Sequence, residues 1–327
     1  PAQNKSAGIN ISIWKDICTQ PHDSTQTTYI NIGLLSTMNR LKGVGINALG
    51  SVVHGDMNGI QITGLANLAG GTMRGVQLAG ISNISGDNTV ELSAAGLVNI
   101  TGDRAQGVVI SGLTSIGGDN NSGLMISGFM NVTGNMASGL HFSGVANITG
   151  QSFGGLMTSG LLNVVGEHMN GLQIAGIANI TASKLNGVQV ALCNYATKAR
   201  GLQIGLVNYY KEDMKGFQLG LVNANPDTKV QMMVYGGNAT PANIGVRFKN
   251  QLFYTILGVG SMYQGLNDKF SASASYRAGL SFPLYKGLSI SGDLGYQHIE
   301  AFDNKDEVIP KRLYALQARA NLEYQFT

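Results

Sequence analysis

Hydrophobic and polar positions recur in this chain with a fixed period of 16 residues between Gly43 and Asn186. Numbered from its first glycine, the unit at residues 171–186 reads GLQIAGIANITASKLN, and nine such units follow one another without insertion. Aliphatic residues fill columns two, four, seven and ten, and the other columns hold most of the small and polar residues. A constant period of this kind is typical of a solenoid, in which each unit contacts only its neighbours.

The spacing of these columns predicts strands and corners. Columns two and four alternate as strand side chains do, and glycine at column six predicts a corner or bulge, because a residue without Cβ fits a tight bend. The corner shifts the alternation, so we expect columns two, four, seven and ten to face the core, and columns three, five, eight and eleven to fourteen to face solvent. A helix is excluded because each glycine would cost about 1 kcal/mol. The predicted corner glycines are Gly64, Gly80, Gly96, Gly112, Gly128, Gly144, Gly160 and Gly176.

Column nine is asparagine in seven of the nine units and serine in the other two. If the units stack about 4.8 Å apart, identical side chains form files in which each amide can bond its counterpart in the next coil. Such an internal or corner ladder would satisfy backbone groups that a tight corner leaves unpaired. The predicted structural ladder comprises Asn67, Asn83, Asn99, Asn131, Asn147, Asn163 and Asn179.

A shorter form of the unit flanks the nine regular ones. It occurs as GVQVALCN at residues 187–194, GLQIGLVN at 201–208, GFQLGLVN at 216–223 and YINIGLLS at 29–36. These units resemble the GLQIGLVN-type repeats of a family of Gly-rich bacterial surface-repeat proteins found in Leptospira and Bacteroidetes. The resemblance covers about residues 29–223. It implies an exported, surface-associated protein and supplies no catalytic residues.

Beyond the repeats, from about Lys229, long alternating strands rich in aromatic residues are predicted. On the last of them, Tyr314, Leu316 and Leu322 share one face, and Arg319 and Glu323 share the other. Strands of this kind resemble outer-membrane β-barrel hairpins, and Phe326 close to the end adds to the likeness. The alternative is a soluble antiparallel sheet that caps the open edge of the solenoid. The predicted strands are Val230–Tyr235, Ala242–Phe248, Leu252–Tyr263, Phe270–Leu284, Leu288–Phe302 and Arg312–Phe326, with a turn at Leu266–Lys269.

The pattern therefore predicts an all-β fold in three parts. Residues 1–42 would form an N-terminal cap with degenerate coils, and residues 43–228 a Gly-rich parallel β-solenoid, so that about a dozen coils of 14–16 residues are expected. Residues 229–327 would form the antiparallel strands, as a cap or a membrane anchor. A rival architecture makes the whole chain one integral outer-membrane barrel, in which each unit is a strand and a turn. In such a barrel, every strand would direct a bulky column-seven side chain into the lumen, and residues 43–186 would contribute almost no aromatic girdle.

Composition narrows the classes of function. Only 12% of the 327 residues are charged and the net charge is +3, with no basic run that could neutralise a phosphate backbone, so nucleic acid is not an expected partner. Cys18 and Cys193 lack metal-ligand spacing, and Cys193 is expected to be a buried thiol because it lies in an apolar column. The chain starts at Pro1 without an initiator methionine, which fits a removed signal peptide and a trimmed sequence equally.

No catalytic, cofactor or metal constellation is evident in the sequence. The histidines occupy different columns, without Asp, Glu or Cys at ligand spacing, and each is expected on the surface. Asp87, Asp103 and Asp119 recur near column thirteen; solvated turn residues are favoured over a weak calcium row. The histidines are His22, His54, His141, His168 and His298.

We therefore expect a non-enzymatic, exported bacterial protein at the outer membrane or cell surface, with a structural or adhesive role. Its partners would be outer-membrane or cell-surface components, with other proteins and glycans as further candidates, and self-association stays open. Two other hypotheses are the whole-chain pore and a glycan-binding or glycan-cleaving β-helix. The second conflicts with the scarcity of carboxylates and aromatic residues between residues 43 and 186.

Overall fold

The protein consists of β-strands in two sheets. The computed structural model describes residues 6–15, 17–20, 26–237, 239–261, 271–302 and 311–324. Within these ranges there is no helix, and so none long and apolar enough to cross a bilayer. The chain divides into two compact units, residues 1–201 and residues 202–327.

The first sheet contains 23 strands. Its first part comprises β1 (Ser6–Trp14), β2 (Ile17–Cys18), β3 (Thr27–Met38), β4 (Arg40–Val53), β5 (Met57–Thr63), β6 (Ala66–Ala69), β7 (Met73–Ala79), β8 (Ser82–Ser85), β9 (Thr89–Ala95), β10 (Val98–Thr101), β11 (Arg104–Ser111) and β12 (Thr114–Gly117). Its second part comprises β13 (Asn120–Ser127), β14 (Met130–Thr133), β15 (Met136–Ser143), β16 (Ala146–Thr149), β17 (Ser152–Ser159), β18 (Leu162–Val165), β19 (His168–Ala175), β20 (Ala178–Val190), β21 (Cys193–Ile204), β22 (Val207–Leu219) and β23 (Val222–Ala224).

Each regular coil contains one longer and one four-residue strand, and successive coils pair in parallel with a 16-residue offset. In β13 and β15, for example, Leu124 pairs with Leu140, and in β14 and β16 Asn131 pairs with Asn147. The predicted parallel β-solenoid of about a dozen coils is confirmed. The rival whole-chain barrel is wrong, because it requires neighbouring units to run in opposite directions.

The direction of the side chains is the reverse of our expectation. Columns two, four, seven and ten do point the same way relative to the interior, as the shift at column six predicts, but they point outward on both strands: Leu113, Phe129 and Ile177 are 48%, 48% and 51% exposed. Columns three, five and eleven, expected in solvent, point inward, and Gln61 and Gln173 have no exposed surface. Column fifteen also faces inward, with methionine, leucine, phenylalanine and smaller residues.

A narrow interior explains this arrangement. The amide nitrogen of Asn131, on a short strand, donates to the backbone oxygen of Phe142, on the longer strand of the next coil, at 2.8 Å. Asn163 makes the equivalent bond to Ile174 at 2.8 Å. One amide side chain thus spans the gap between the two strands. Leucine or isoleucine from four columns would overfill that gap, and overpacking a close-packed interior is costly.

The second sheet is a six-stranded antiparallel meander in which consecutive strands pair. Within residues 202–327 this sheet contacts the end of the coils, where the Thr255 hydroxyl donates to the backbone oxygen of Leu221 at 3.0 Å. Phe326 and the turn at Leu266–Lys269 lie outside the described residues. The six strands are β24 (Lys229–Tyr235), β25 (Ala242–Asn250), β26 (Phe253–Ser261), β27 (Ser271–Tyr285), β28 (Leu288–Ala301) and β29 (Lys311–Tyr324).

Candidate functional surfaces

The asparagines of column nine form a buried file of hydrogen bonds along the coils. Asn131 donates to Asn147 at 2.8 Å, Asn147 to Asn163 at 3.0 Å, and Asn163 to Asn179 at 2.9 Å. A second stretch links Asn67 to Asn83 and Asn83 to Asn99. The two stretches are separated where serine replaces asparagine, and there the Ser115 hydroxyl bonds to Ser111 and Ser127 instead. The file holds the two strands of each coil together and fixes the register of each coil on the next.

The eight predicted corner glycines of column six are required by close contact with the preceding coil, and not by unusual backbone angles. A Cβ on Gly144 would lie 2.0 Å from the backbone oxygen of Gly128, and the other predicted corner glycines meet similar obstacles. These residues lie at bends, as at Gly64. The positive φ angles occur in column one instead, where Gly139 has φ 103° and an added Cβ would lie 2.2 Å from the backbone oxygen of Gly123. Column one is glycine in eight of the nine units; the remaining unit holds Glu91, which adopts the same positive φ region, at 88°.

Sequence reasoning missed a second polar file inside the coils. In column three, Gln77 donates to Gln61 at 3.0 Å and Gln189 donates to Gln173 at 2.8 Å. The same residue type at a spacing of 16 was the available signal, but the expectation that polar columns face solvent concealed it. The asparagine file and these glutamine pairs therefore add polar contacts to an interior whose column fifteen is mostly apolar.

The outer surface of the regular coils is aliphatic on both strands. Columns two to eleven of all nine units contain no Asp, Glu, Lys or Arg. The charged side chains of residues 43–186 lie instead in columns one, thirteen, fourteen and sixteen, along one edge. At about 4.8 Å per coil, the nine units extend each aliphatic stripe over about 40 Å. Monomeric soluble proteins rarely expose an apolar patch of that extent, and such patches mark contact sites.

His141 is buried, contrary to the expectation that every histidine is on the surface. It lies in column three, 1% exposed, and its ring meets the Phe153 ring edge-on at 4.9 Å between centroids. Its Nε2 has no hydrogen-bond partner among the described residues. Desolvation lowers the pKa of His141 from 6.5 to about 4. His54 and His168 are exposed, His298 is half-buried, and His22 lies outside the described residues.

The cysteine expectation was also wrong. Cys193 is exposed, because its apolar column faces outward like the others, and both cysteines are free thiols. Among the described residues, no three His, Cys, Asp or Glu side chains come together as metal ligands would. Asp119 of the carboxylate row accepts hydrogen bonds from Asn120 and Asn135, as a turn residue does. Beside this row, Gln106, Ser122 and Ser138 line a groove of about 410 Å³ along the charged edge.

The second sheet repeats the inverted polarity. Leu316, Leu294 and Val234 on one face are 90%, 70% and 84% exposed. The opposite face is polar. Among the described residues of the paired strands, it carries five cations and two carboxylates, not counting Lys311 at one end of the last strand. These side chains are Lys229, Arg247, Lys249, Arg277, Arg319, Asp293 and Glu323.

Ion pairs and aromatic rings connect the charged side chains of the polar face to one another. Arg247 pairs with Glu323 at 2.8 Å and lies 3.9 Å from the Tyr254 ring centre. The Tyr254 hydroxyl donates to Asp293 Oδ2 at 2.8 Å. Asp293 Oδ1 in turn lies 3.8 Å from Arg277 Nε, too far for a good hydrogen bond. The residues of this arginine cluster are Tyr235, Arg247, Tyr254, Arg277, Asp293, Arg319 and Glu323.

Comparison with known proteins yields no relative: no family model, no curated protein and no solved structure matches this chain.

Proposed function

We propose that this protein is a non-enzymatic scaffold of the bacterial outer membrane or cell surface, held against lipid by its aliphatic outer faces. The observation that carries the proposal is the direction of the side chains: both sheets turn aliphatic residues outward and polar residues inward. Lipid-facing β-structure has this polarity, because outward side chains meet hydrocarbon and polar groups find partners inside. The resemblance of the shorter repeats to bacterial surface-repeat proteins supports export.

Backbone satisfaction is the second requirement for contact with lipid, since an unpaired amide in hydrocarbon costs several kcal/mol. In the regular coils, parallel pairing uses the strand amides, and the bends are paired from coil to coil as well. Gly144 donates to the oxygen of Ser127 at 3.1 Å and Val145 to that of Phe129 at 2.9 Å. The charged edge then remains available for water or for cell-surface partners.

Flotation of the full chain with vesicles of phosphatidylethanolamine and phosphatidylglycerol tests the proposal. Lysine replaces two outward column-seven residues in the variant Ile81→Lys/Leu97→Lys, each residue being 43% exposed. The matched control Gln106→Lys/Gln151→Lys adds the same charge on the polar edge. Lysine at a lipid-facing position costs about 2–4 kcal/mol near the bilayer centre. We therefore expect the column-seven variant to leave the vesicle fraction and the control to float with the wild type.

Equal flotation of the two variants would contradict the role of the outer faces. The membrane proposal would be refuted altogether if the wild-type protein were monodisperse in buffer without detergent and did not bind the vesicles. Circular dichroism of both variants verifies that they keep the same strand content.

A further inference from the structure

In the arginine cluster of the second sheet, several N–H donors of two buried arginines have no acceptor among the described residues. Arg277 is 1% exposed and Arg247 is 5% exposed. Nε and Nη1 of Arg277, and Nε and Nη2 of Arg247, have no hydrogen-bond partner among the described residues. Leaving buried, charged donors unsatisfied is among the costliest arrangements in a folded protein, and an ion or water normally relieves it.

Positive charge is also in excess around these donors. Arg277 and Arg319 lie over the same Tyr235 ring, with their guanidinium carbons 4.5 and 5.0 Å from its centre. Glu323 is already engaged, since it accepts from Arg247 and from the Ser291 hydroxyl. Asp293 accepts from Tyr254 and stands opposite Arg277 without a close bond. Counting Arg247, Arg277, Arg319 and the neighbouring Lys249 against Asp293 and Glu323 leaves two uncompensated positive charges, 4 − 2 = +2.

A pocket lies at one end of this cluster, at Arg319. Arg319 lines a pocket of about 450 Å³ together with Gly236, Gly237, Gln317 and Asn321. A Cβ at Gly237 would lie 3.2 Å from Arg319 Nη2, so glycine there leaves the guanidinium accessible. Besides Arg319, the pocket offers the side-chain amides of Gln317 and Asn321, which suit an oxygen-rich ligand, and its other walls are glycine, alanine and Leu316.

We propose that the arginine cluster binds a phosphate group. A phosphate carries close to two negative charges at neutral pH and three or more acceptor oxygens, which matches the excess of charge and the unpartnered N–H groups. Guanidinium forks bind such oxygens in pairs. A free phosphate or the headgroup of a phospholipid could supply this chemistry. The site is independent of the proposed membrane contact, because it uses the polar face of the sheet.

Calorimetric titration of the full chain at constant ionic strength tests the site with two probes, inorganic phosphate and dihexanoyl phosphatidic acid below its micellar concentration. Arg319→Gln and Arg277→Gln each remove donors from the site. Arg312→Gln is the matched control, since Arg312 is an exposed arginine of the same strand, 3.7 Å from Glu300. We expect saturable binding by the wild type and by Arg312→Gln, and binding about tenfold weaker or worse in the other two.

Gly237→Val is a further variant that adds bulk beside Arg319 without removing charge, and it should weaken binding while circular dichroism stays unchanged. This variant and the half-exposed Arg319 keep the test informative if Arg277→Gln fails to fold. Binding of the lipid probe alone would identify a headgroup site, and binding of inorganic phosphate a site for a soluble ligand. No saturable binding of either probe, or equal affinities for Arg319→Gln and Arg312→Gln, would overturn the proposal and assign the unpartnered donors to water.

Discussion

Acid should weaken the solenoid through His141, and His141→Met should remove that weakness. His141 lies between Met125 and Met157 of the two neighbouring coils in the same inward column. Methionine is therefore a side chain that this column already accommodates twice. Phe153 covers the ring from the side, and no described group accepts a proton-bearing Nε2. Protonation of His141 in the folded state would place an uncompensated charge in the core.

The size of the effect follows from the two pKa values. Burial holds the folded pKa at about 4, against 6.5 in the unfolded chain. Well above pH 6.5, as at pH 8, the histidine is neutral in both states and contributes almost no pH dependence. As the pH falls from 6.5 towards 4, the unfolded chain takes up the proton first, so the free energy of unfolding decreases by up to about 1.4 kcal/mol per pH unit. The loss amounts to about 2 kcal/mol at pH 5 and about 3 kcal/mol at pH 4.

Urea unfolding of the full chain, followed by far-ultraviolet circular dichroism at pH 8, 6.5 and 5, measures this loss. The relevant quantity is the difference between His141→Met and the wild type at each pH, since other titrating groups cancel in it. This difference should shift in favour of the variant by about 2 kcal/mol between pH 8 and pH 5. His168→Met, at the exposed start of β19, is the matched control and should follow the wild type. Parallel stability curves for the wild type and His141→Met would refute a buried, neutral histidine.

Two further predictions concern the coil-to-coil contacts. Gly139→Ala would combine φ 103° with a Cβ 2.2 Å from a backbone oxygen, so it should lower the stability measured by thermal unfolding by about 2 kcal/mol or more. A Cβ at Gly154 meets nothing within 4 Å, so the control Gly154→Ala should change stability by less than about 0.5 kcal/mol. Asn147→Ala removes an amide that bonds to two neighbouring asparagines and one backbone carbonyl, and it should lower the free energy of unfolding in urea by about 2 kcal/mol. The control Asn170→Ala, in an exposed amide pair, should lower it by less than about 0.5 kcal/mol. Equal losses for the two glycine variants, or for the two asparagine variants, would contradict the packing described.

The periodicity of the sequence sufficed to predict the parallel coils, because a repeat without insertions leaves each residue beside its counterpart 16 positions away. It also identified which columns share a face. It did not determine whether that face points inward, since a two-residue alternation is the same for either direction. We resolved the choice with the usual preference of apolar residues for the core, and that preference failed here. His141 and Cys193 were misplaced for this one reason.

Interactions between distant residues lay beyond the sequence. The arginine cluster joins side chains of β24 to β29, so its geometry depends on the register of five strand pairings. The alternation of Arg319 and Glu323 against Leu316 and Leu322 correctly indicated two unlike faces. It gave no sign that Arg277 would be buried with donors unpartnered.

The inverted polarity appears in two sheets of different construction, and this bears on its cause. In the parallel coils the polar part of the interior is held by rows of like amides, which require a neighbour one coil away. In the antiparallel sheet the polar face is instead held by unlike partners, such as Arg247 with Glu323 and Tyr254 with Asp293. Because the polar interiors are built differently, packing inside one kind of sheet cannot account for the aliphatic exterior of both. The lipid contact that we propose would account for both at once, since an apolar environment favours outward leucine and isoleucine where water would favour charge.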